Sequence, residues 1–237
     1  MKVNKWLLCS AGATLLIPAI KADAIEVFPI VKEISQETPR ENYISVKSGS
    51  RPAENEELSP VDSQRYEFVT LELFHITNPG DSNEKRVKES GKADPDLIFS
   101  PTKLVVPYSE HRKVRLLPLK EIKVEKVYRL RVRPSYPEQE MDKGKIRFAV
   151  GYDVLVRYLP SGSHVQAISL SCEGNQWTIS ATGNVRSELR DLVVDGRKDQ
   201  KIFNIYPEYA RSVSVNKRLV FEFEGKQQTY EACQRKV

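Results

Sequence analysis

The sequence predicts an all-β protein built of two sandwich domains, and three observations carry that expectation. Short runs rich in Val, Ile, Leu, Phe and Tyr recur along most of the chain, separated by polar joints that contain Pro or Gly. No run of helical period with caps competes with them. The rhythm breaks once, at Leu159-Pro160-Ser161-Gly162-Ser163, and then restarts. Beyond its leader, this 237-residue chain is long enough for two sandwiches of about 100 residues each.

The leader comes first. Lys2 and Lys5 precede an almost uncharged stretch over residues 6–20, and Ala22-Asp23-Ala24 puts small residues where a signal peptidase reads. A cleavable signal peptide over residues 1–24 is the expectation, with Ile25 as the new first residue. A membrane anchor is the alternative, but an apolar run of about 15 residues is shorter than the ~20 that span a hydrocarbon core. No later segment matches it in apolar length, so the mature chain is expected to be soluble rather than an integral membrane protein.

Seven strands are expected next, over residues 25–30, 43–46, 66–76, 97–99, 113–117, 127–132 and 146–158. They make a first domain over residues 25–158. Residues 159–163 are the linker. A second, smaller set over 165–171, 177–182, 189–194, 211–215, 219–223 and 229–233 fills a domain over 164–237, where apolar positions alternate with Ser, Glu and Thr as in a half-wet sheet. The polar stretches 48–65, 78–95 and 134–145 are read as long loops.

The leader removes Cys9 and leaves Cys172 and Cys233 in an oxidising compartment, where an even pair usually bonds. Two separate buried thiols are the other reading. The formal net charge of +5 is mild and both signs are interspersed, which argues against a nucleic-acid partner. His75, His111 and His164 are isolated from one another and from ligand-type neighbours, so neither a metal site nor a catalytic residue is expected, and no cofactor motif is present.

The most informative segment is 146–158. By strand alternation Ile146, Phe148, Val150, Tyr152, Val154 and Val156 share one face, an unusually long apolar ladder. It is either a core strand of the first sandwich or an edge strand kept for a partner, since an exposed apolar edge is otherwise an aggregation hazard.

Asp96-Leu97-Ile98-Phe99-Ser100-Pro101-Thr102-Lys103-Leu104-Val105-Val106-Pro107, followed by Val114-Arg115-Leu116 and Val127-Tyr128-Arg129-Leu130, resembles the signature of periplasmic pilus chaperones. Phe28-Pro29-Ile30-Val31-Lys32-Glu33-Ile34, Val156-Arg157-Tyr158-Leu159-Pro160, Thr182-Gly183-Asn184-Val185-Arg186 and Asn204-Ile205-Tyr206-Pro207 are similar, more narrowly, to the chaperones of colonisation-factor-antigen-type fimbriae, the alternate chaperone-usher systems. The resemblance implies a boomerang of two immunoglobulin-like domains, a periplasmic location, and no enzyme activity. It implies binding of fimbrial subunits by donor-strand complementation and delivery to an outer-membrane usher. The donor residues would be Ile146, Phe148, Val150, Tyr152 and Val154. By position, Lys32 and Arg157 match the two cations that hold a subunit's C-terminal carboxylate in the cleft between domains. Self-association of the free protein over its ladder stays open. The alternatives are a fimbrial structural subunit or surface adhesin made of immunoglobulin-like domains, and an exported hydrolase, which would need a catalytic cluster that the sequence does not display.

Overall fold

Two prolines route the first half of the chain. In the computed structural model, which describes residues 25–49, 66–107, 109–135, 150–199 and 203–236, β1 (Ile25–Phe28) and β2 (Val31–Ile34) flank Pro29. Pro101 lies in the same way between β6 (Leu97–Ser100) and β7 (Lys103–Pro107). Proline has no N–H to give to a ladder, and at each of these points the chain leaves one sheet for the other. The strand expected over 25–30 therefore ends at Phe28, and a second strand that was not expected, β2, follows in the other sheet.

The remaining strands of this half are β3 (Tyr43–Ser48), β4 (Tyr66–Thr77), β5 (Lys85–Lys88), β8 (His111–Pro118), β9 (Lys126–Pro134) and β10 (Tyr152–Tyr158). Among the described residues one sheet runs β1-β3-β8-β6 and the other β2-β10-β9-β4, with the far side of β4 shared by β7 and β5. Alternation sends Ile44, Val46, Val114 and Leu116 from the first sheet and Val69, Leu73, Leu130, Val132, Val154 and Val156 from the second into one closed core. The stretch 78–95, expected as a loop, contains β5, and the Glu89 carboxylate is buried within it, accepting from Asp96 N–H (3.1 Å) and Lys92 (2.7 Å). All four residues of β5 are exposed, so the strand has no apolar face to announce it.

The second half repeats the plan. A sheet of β11 (Ile168–Glu173), β12 (Gln176–Ala181) and β16 (Ala210–Ser214) faces one built on β13 (Ser187–Val194) and β17 (Arg218–Phe223). The latter is extended by β14 (Arg197–Lys198), β15 (Phe203–Ile205), β18 (Lys226–Glu231) and β19 (Gln234–Lys236). Trp177, Ile179, Leu189, Leu192, Leu219 and Phe221 form its core. The disulfide between Cys172 on β11 and Cys233 after β18 ties the two sheets, closing a span of 61 residues with the Cα atoms 6.1 Å apart. No helix of the described residues is long and apolar enough to cross a membrane.

Candidate functional site: an open sheet edge above an interdomain cleft

The edge exists because the two neighbours of β10 differ in length. β9 pairs with β10 along its whole span, Tyr152 to Tyr158, whereas β2 runs parallel to it only from Leu155 to Tyr158. The last rung is Leu155 N–H to Ile30 O at 2.8 Å. Among the described residues, Tyr152, Asp153 and Val154 therefore have a strand on one side only. The backbone there presents unpaired groups to whatever approaches.

Side chains around this gap are apolar and wet. Phe28 is 76% exposed, Val31 54% and Val150 51%. Along the ladder the environment changes with position: Val154 is wholly buried in the domain's own core, Tyr152 packs partly against it, and Val150 stands outside. Ile146 and Phe148 lie outside the described residues. Asp153, on the other face, accepts from Arg86 (2.6 Å) and Arg131 (3.1 Å). Burial works against its charge, but these two guanidinium groups outweigh it and pull its carboxyl below the usual range.

Below the gap the outer face of this sheet meets the second domain. Phe74, Ile76, Val127 and Leu155 pack with Tyr206 and Tyr209. Arg157 lies deep in this junction, with Nε and Nη2 donating to the two oxygens of Glu125 (2.6 and 2.9 Å) and Nη1 to Glu33. Burial disfavours its charge; Glu125 and then Glu33 more than restore it, so its pKa is raised. Glu125 also joins the domains, because its carboxylate accepts Arg186 N–H (2.7 Å) and its own N–H donates to Asn184 O (2.8 Å).

Lys32 and Arg157 leave the paired strands on opposite faces. Lys32 stands opposite Val156 in the parallel ladder and so takes the core side, reaching toward the Tyr43 ring (5.9 Å), while Arg157 stands opposite Glu33 and takes the cleft side. The Cys172–Cys233 pair is bonded, which settles the choice left by the sequence.

Three charged residues of the cleft escaped the sequence reading: Glu125, Arg129 and Arg211. Arg129, Arg211, Ile76, Val127, Leu155 and Tyr206 border a cavity of about 470 Å³ between the domains. Arg211 donates to Gly80 O and lies over the Phe203 ring (5.0 Å). The Nε of Arg129 is buried without a hydrogen-bond partner. The alternation of Arg129, Arg131 and Arg133 along β9 was the available signal, since period two places all three on the outer face. The histidines stay apart: His75 stacks obliquely on Tyr128 (5.2 Å), His164 contacts Pro160 O (3.0 Å), and His111 begins β8. Among the described residues no group of three His, Cys, Asp or Glu could hold a metal ion.

No protein-family model matches the chain. It is 27% identical over 227 residues to a CFA/I fimbrial subunit protein of Escherichia coli, covering 88% of this chain and 87% of that protein. To a CS1 fimbrial subunit protein of E. coli it is 29% identical over 185 residues, covering 75% and 71%. The crystal structure of the class 5 fimbriae chaperone CfaA superposes with a TM-score of 0.67 at 22% identity, covering 90% of this chain and 99% of that one. A chain of the Salmonella enterica SafA pilin–SafB chaperone complex does so with a TM-score of 0.56 at 11% identity, covering 90% and 98%. The expected resemblance to the chaperones of colonisation-factor-antigen-type fimbriae thus extends over both halves of the chain, and the fold is theirs: two immunoglobulin-like β-sandwich domains.

Proposed function

We propose that this protein is a periplasmic chaperone that lends the segment entering β10 to fimbrial subunits and passes them to an outer-membrane usher. Residues 25–158 form the lending domain, 159–163 the joint and 164–237 the second domain, with the leader over 1–24 removed on export. The observation that carries this reading is the edge of β10, left open ahead of Leu155, where pairing with β2 begins, and flanked by exposed apolar side chains. Strand addition there needs main-chain hydrogen bonds for pairing and alternate side chains to fill the partner's groove. Ile146, Phe148 and Val150 are the residues to be lent, and Tyr152 lies at the border. Val154 remains in the protein's own core. Burying three such side chains contributes roughly 5 to 9 kcal/mol before ordering costs, enough to keep a subunit folded with no nucleotide. Covering of the same edge by a second copy is the natural state of the free protein in this reading. The alternative, a structural subunit or adhesin, is less supported, because the likeness over nearly whole chains is to fimbrial chaperones.

Co-expression with the subunits of a cognate fimbria, followed by purification from periplasmic extract, tests the proposal. A one-to-one complex is expected, and subunits equally soluble without this protein overturn it. Val150→Glu should abolish capture while the thermal midpoint stays unchanged, because a half-exposed position tolerates charge. Unfolding by that substitution would assign Val150 to the core. Lys32 and Arg157 are the proposed holders of the subunit's carboxylate, and Arg157 serves if the ligand displaces the half-exposed Glu33 while Glu125 stays in place. Lys32→Ala and Arg157→Ala should each weaken capture; unchanged affinity in both removes the pair from the mechanism.

A further inference from the structure

The chain between the two sandwiches is held from both sides. On the side of the first domain, Leu159 N–H donates to Ile34 O (2.9 Å) and Gly162 N–H to the Glu37 carboxylate (2.9 Å). Gly162 makes the turn there with a left-handed backbone (φ 81°), which glycine adopts without a steric cost. His164 Nε2 folds back to within 3.0 Å of Pro160 O.

On the other side the grip is one residue, Asn184. Its backbone N–H donates to Val165 O (3.0 Å). Its carboxamide spans the same stretch, with Oδ1 accepting Val165 N–H (2.7 Å) and Nδ2 donating to Ser163 O (2.8 Å). The carbonyl of Asn184 accepts Glu125 N–H (2.8 Å) from the first domain. Every hydrogen-bonding group of this residue is therefore used on the connecting chain or on the other domain. An asparagine in a loop ordinarily bonds to backbone a few residues away, whereas this side chain reaches 19 and 21 residues back. Gly183 permits the approach, because a Cβ at that position would collide with Val165 O.

The angle between the domains is fixed by these contacts together, and the open edge of β10 makes that angle matter. Leu155, where the open stretch ends, borders the same cavity as Tyr206 and Arg211 of the second domain. Whatever pairs with β10 is thus a neighbour of the second domain as well.

We propose that Asn184 is a positioning residue for capture: by tying residues 163–165 and Glu125 to one loop of the second domain, it presets the angle at which that domain meets a partner strand on β10. This role rests on the strand-lending reading and deepens it. A pair of domains that samples several angles is competent only part of the time, and its apparent affinity falls by that fraction. The loss lies in the rate of association, because the complex once formed makes the same contacts.

The test uses the mature protein labelled with 15N. Residual dipolar couplings report one shared alignment for domains held at one angle and separate alignments for domains that move against each other. The wild type should give one. Asn184→Ala should give two, with the couplings inside each domain still fitting its own fold, and should slow capture of a denatured subunit of the cognate fimbria by about tenfold while dissociation is unchanged. Glu37→Ala removes the first-domain contact of the same chain from an exposed position and should act in the same direction, which covers the case in which Asn184→Ala does not fold. A shared alignment kept in both variants overturns the proposal, and so does a lower thermal midpoint with that alignment kept, which marks Asn184 as a stabiliser of its own domain. Separate alignments with capture as fast as in the wild type overturn the role in capture. Separate alignments in the variants of a protein whose wild type captures no subunit overturn the strand-lending reading itself.

Discussion

Single side chains in this protein divide by whether water reaches them, and the entry to β10 makes the division visible within five residues. Val150, two residues before β10, is 51% exposed, whereas Val154 within it has no exposure at all. Val154→Glu should therefore cost several kcal/mol and abolish folding of the first domain, while Val150→Glu should leave denaturant stability within about 0.5 kcal/mol; urea unfolding of both variants checks the contrast. Asp195 is a different case, an exposed carboxylate that accepts backbone N–H groups of Arg218, Asn216 and Lys217, which pull its pKa down to about 2. A pKa lowered on folding stabilises the native state above the ordinary value of 3.8, and that contribution is lost as pH falls toward 2. Asp195→Ala should accordingly lower the thermal midpoint of the second domain at neutral pH and flatten its decline between pH 4 and about 2, as read by calorimetry.

Strands come next, and their polarity decided which of them the sequence disclosed. β4, β8 and β9 largely alternate apolar and polar residues, β17 carries the buried run Leu219, Val220 and Phe221, and all four were expected close to where they lie. β5 and β19 were not, because every residue of both is exposed; β5 is held by backbone pairing and by the ion pairs Lys88–Glu72 and Arg86–Asp153, and β19 by backbone pairing. β15 is only three residues long and pairs with the start of β13. The disulfide works at this scale, joining β11 to the turn after β18. For a closed loop of 61 residues the chain-entropy account gives about 4 kcal/mol. Cys172→Ala with Cys233→Ala, or reduction, should lower the second domain's denaturation free energy by about 2–4 kcal/mol and leave the first domain's transition in place; a two-probe unfolding experiment separates them.

Glu125 is a polar residue through which the two domains meet. It holds Arg157 of the first domain and accepts the backbone of Arg186 in the second, with its side chain wholly buried. Glu125→Ala leaves the Arg157 charge without its main partner, a change that typically costs about 3–5 kcal/mol. It should also loosen the coupling between the domains, so that their two unfolding transitions move further apart; unchanged midpoints would show that the apolar contact around Tyr206 suffices. The same junction sets Lys32 and Arg157, which form a pair in the sequence reading, on opposite faces of the paired strands. Glu33 and Arg157 are 124 residues apart, and only the register of β2 on β10 sets which face each neighbour takes.

The sequence by itself determined the β class, the cysteine pair and the apolar ladder. Each of these is a local property of composition or alternation, and local properties survive in a one-dimensional record. Tertiary structure decided where the ladder passes from core to open edge, because that boundary is the start of β2, a strand from the other end of the domain. It also decided that Arg157 is a buried ion-pair partner and that Arg129 faces the cavity uncompensated. Register and docking between distant segments assign those partners, and neither can be read from the spacing of residues along one chain.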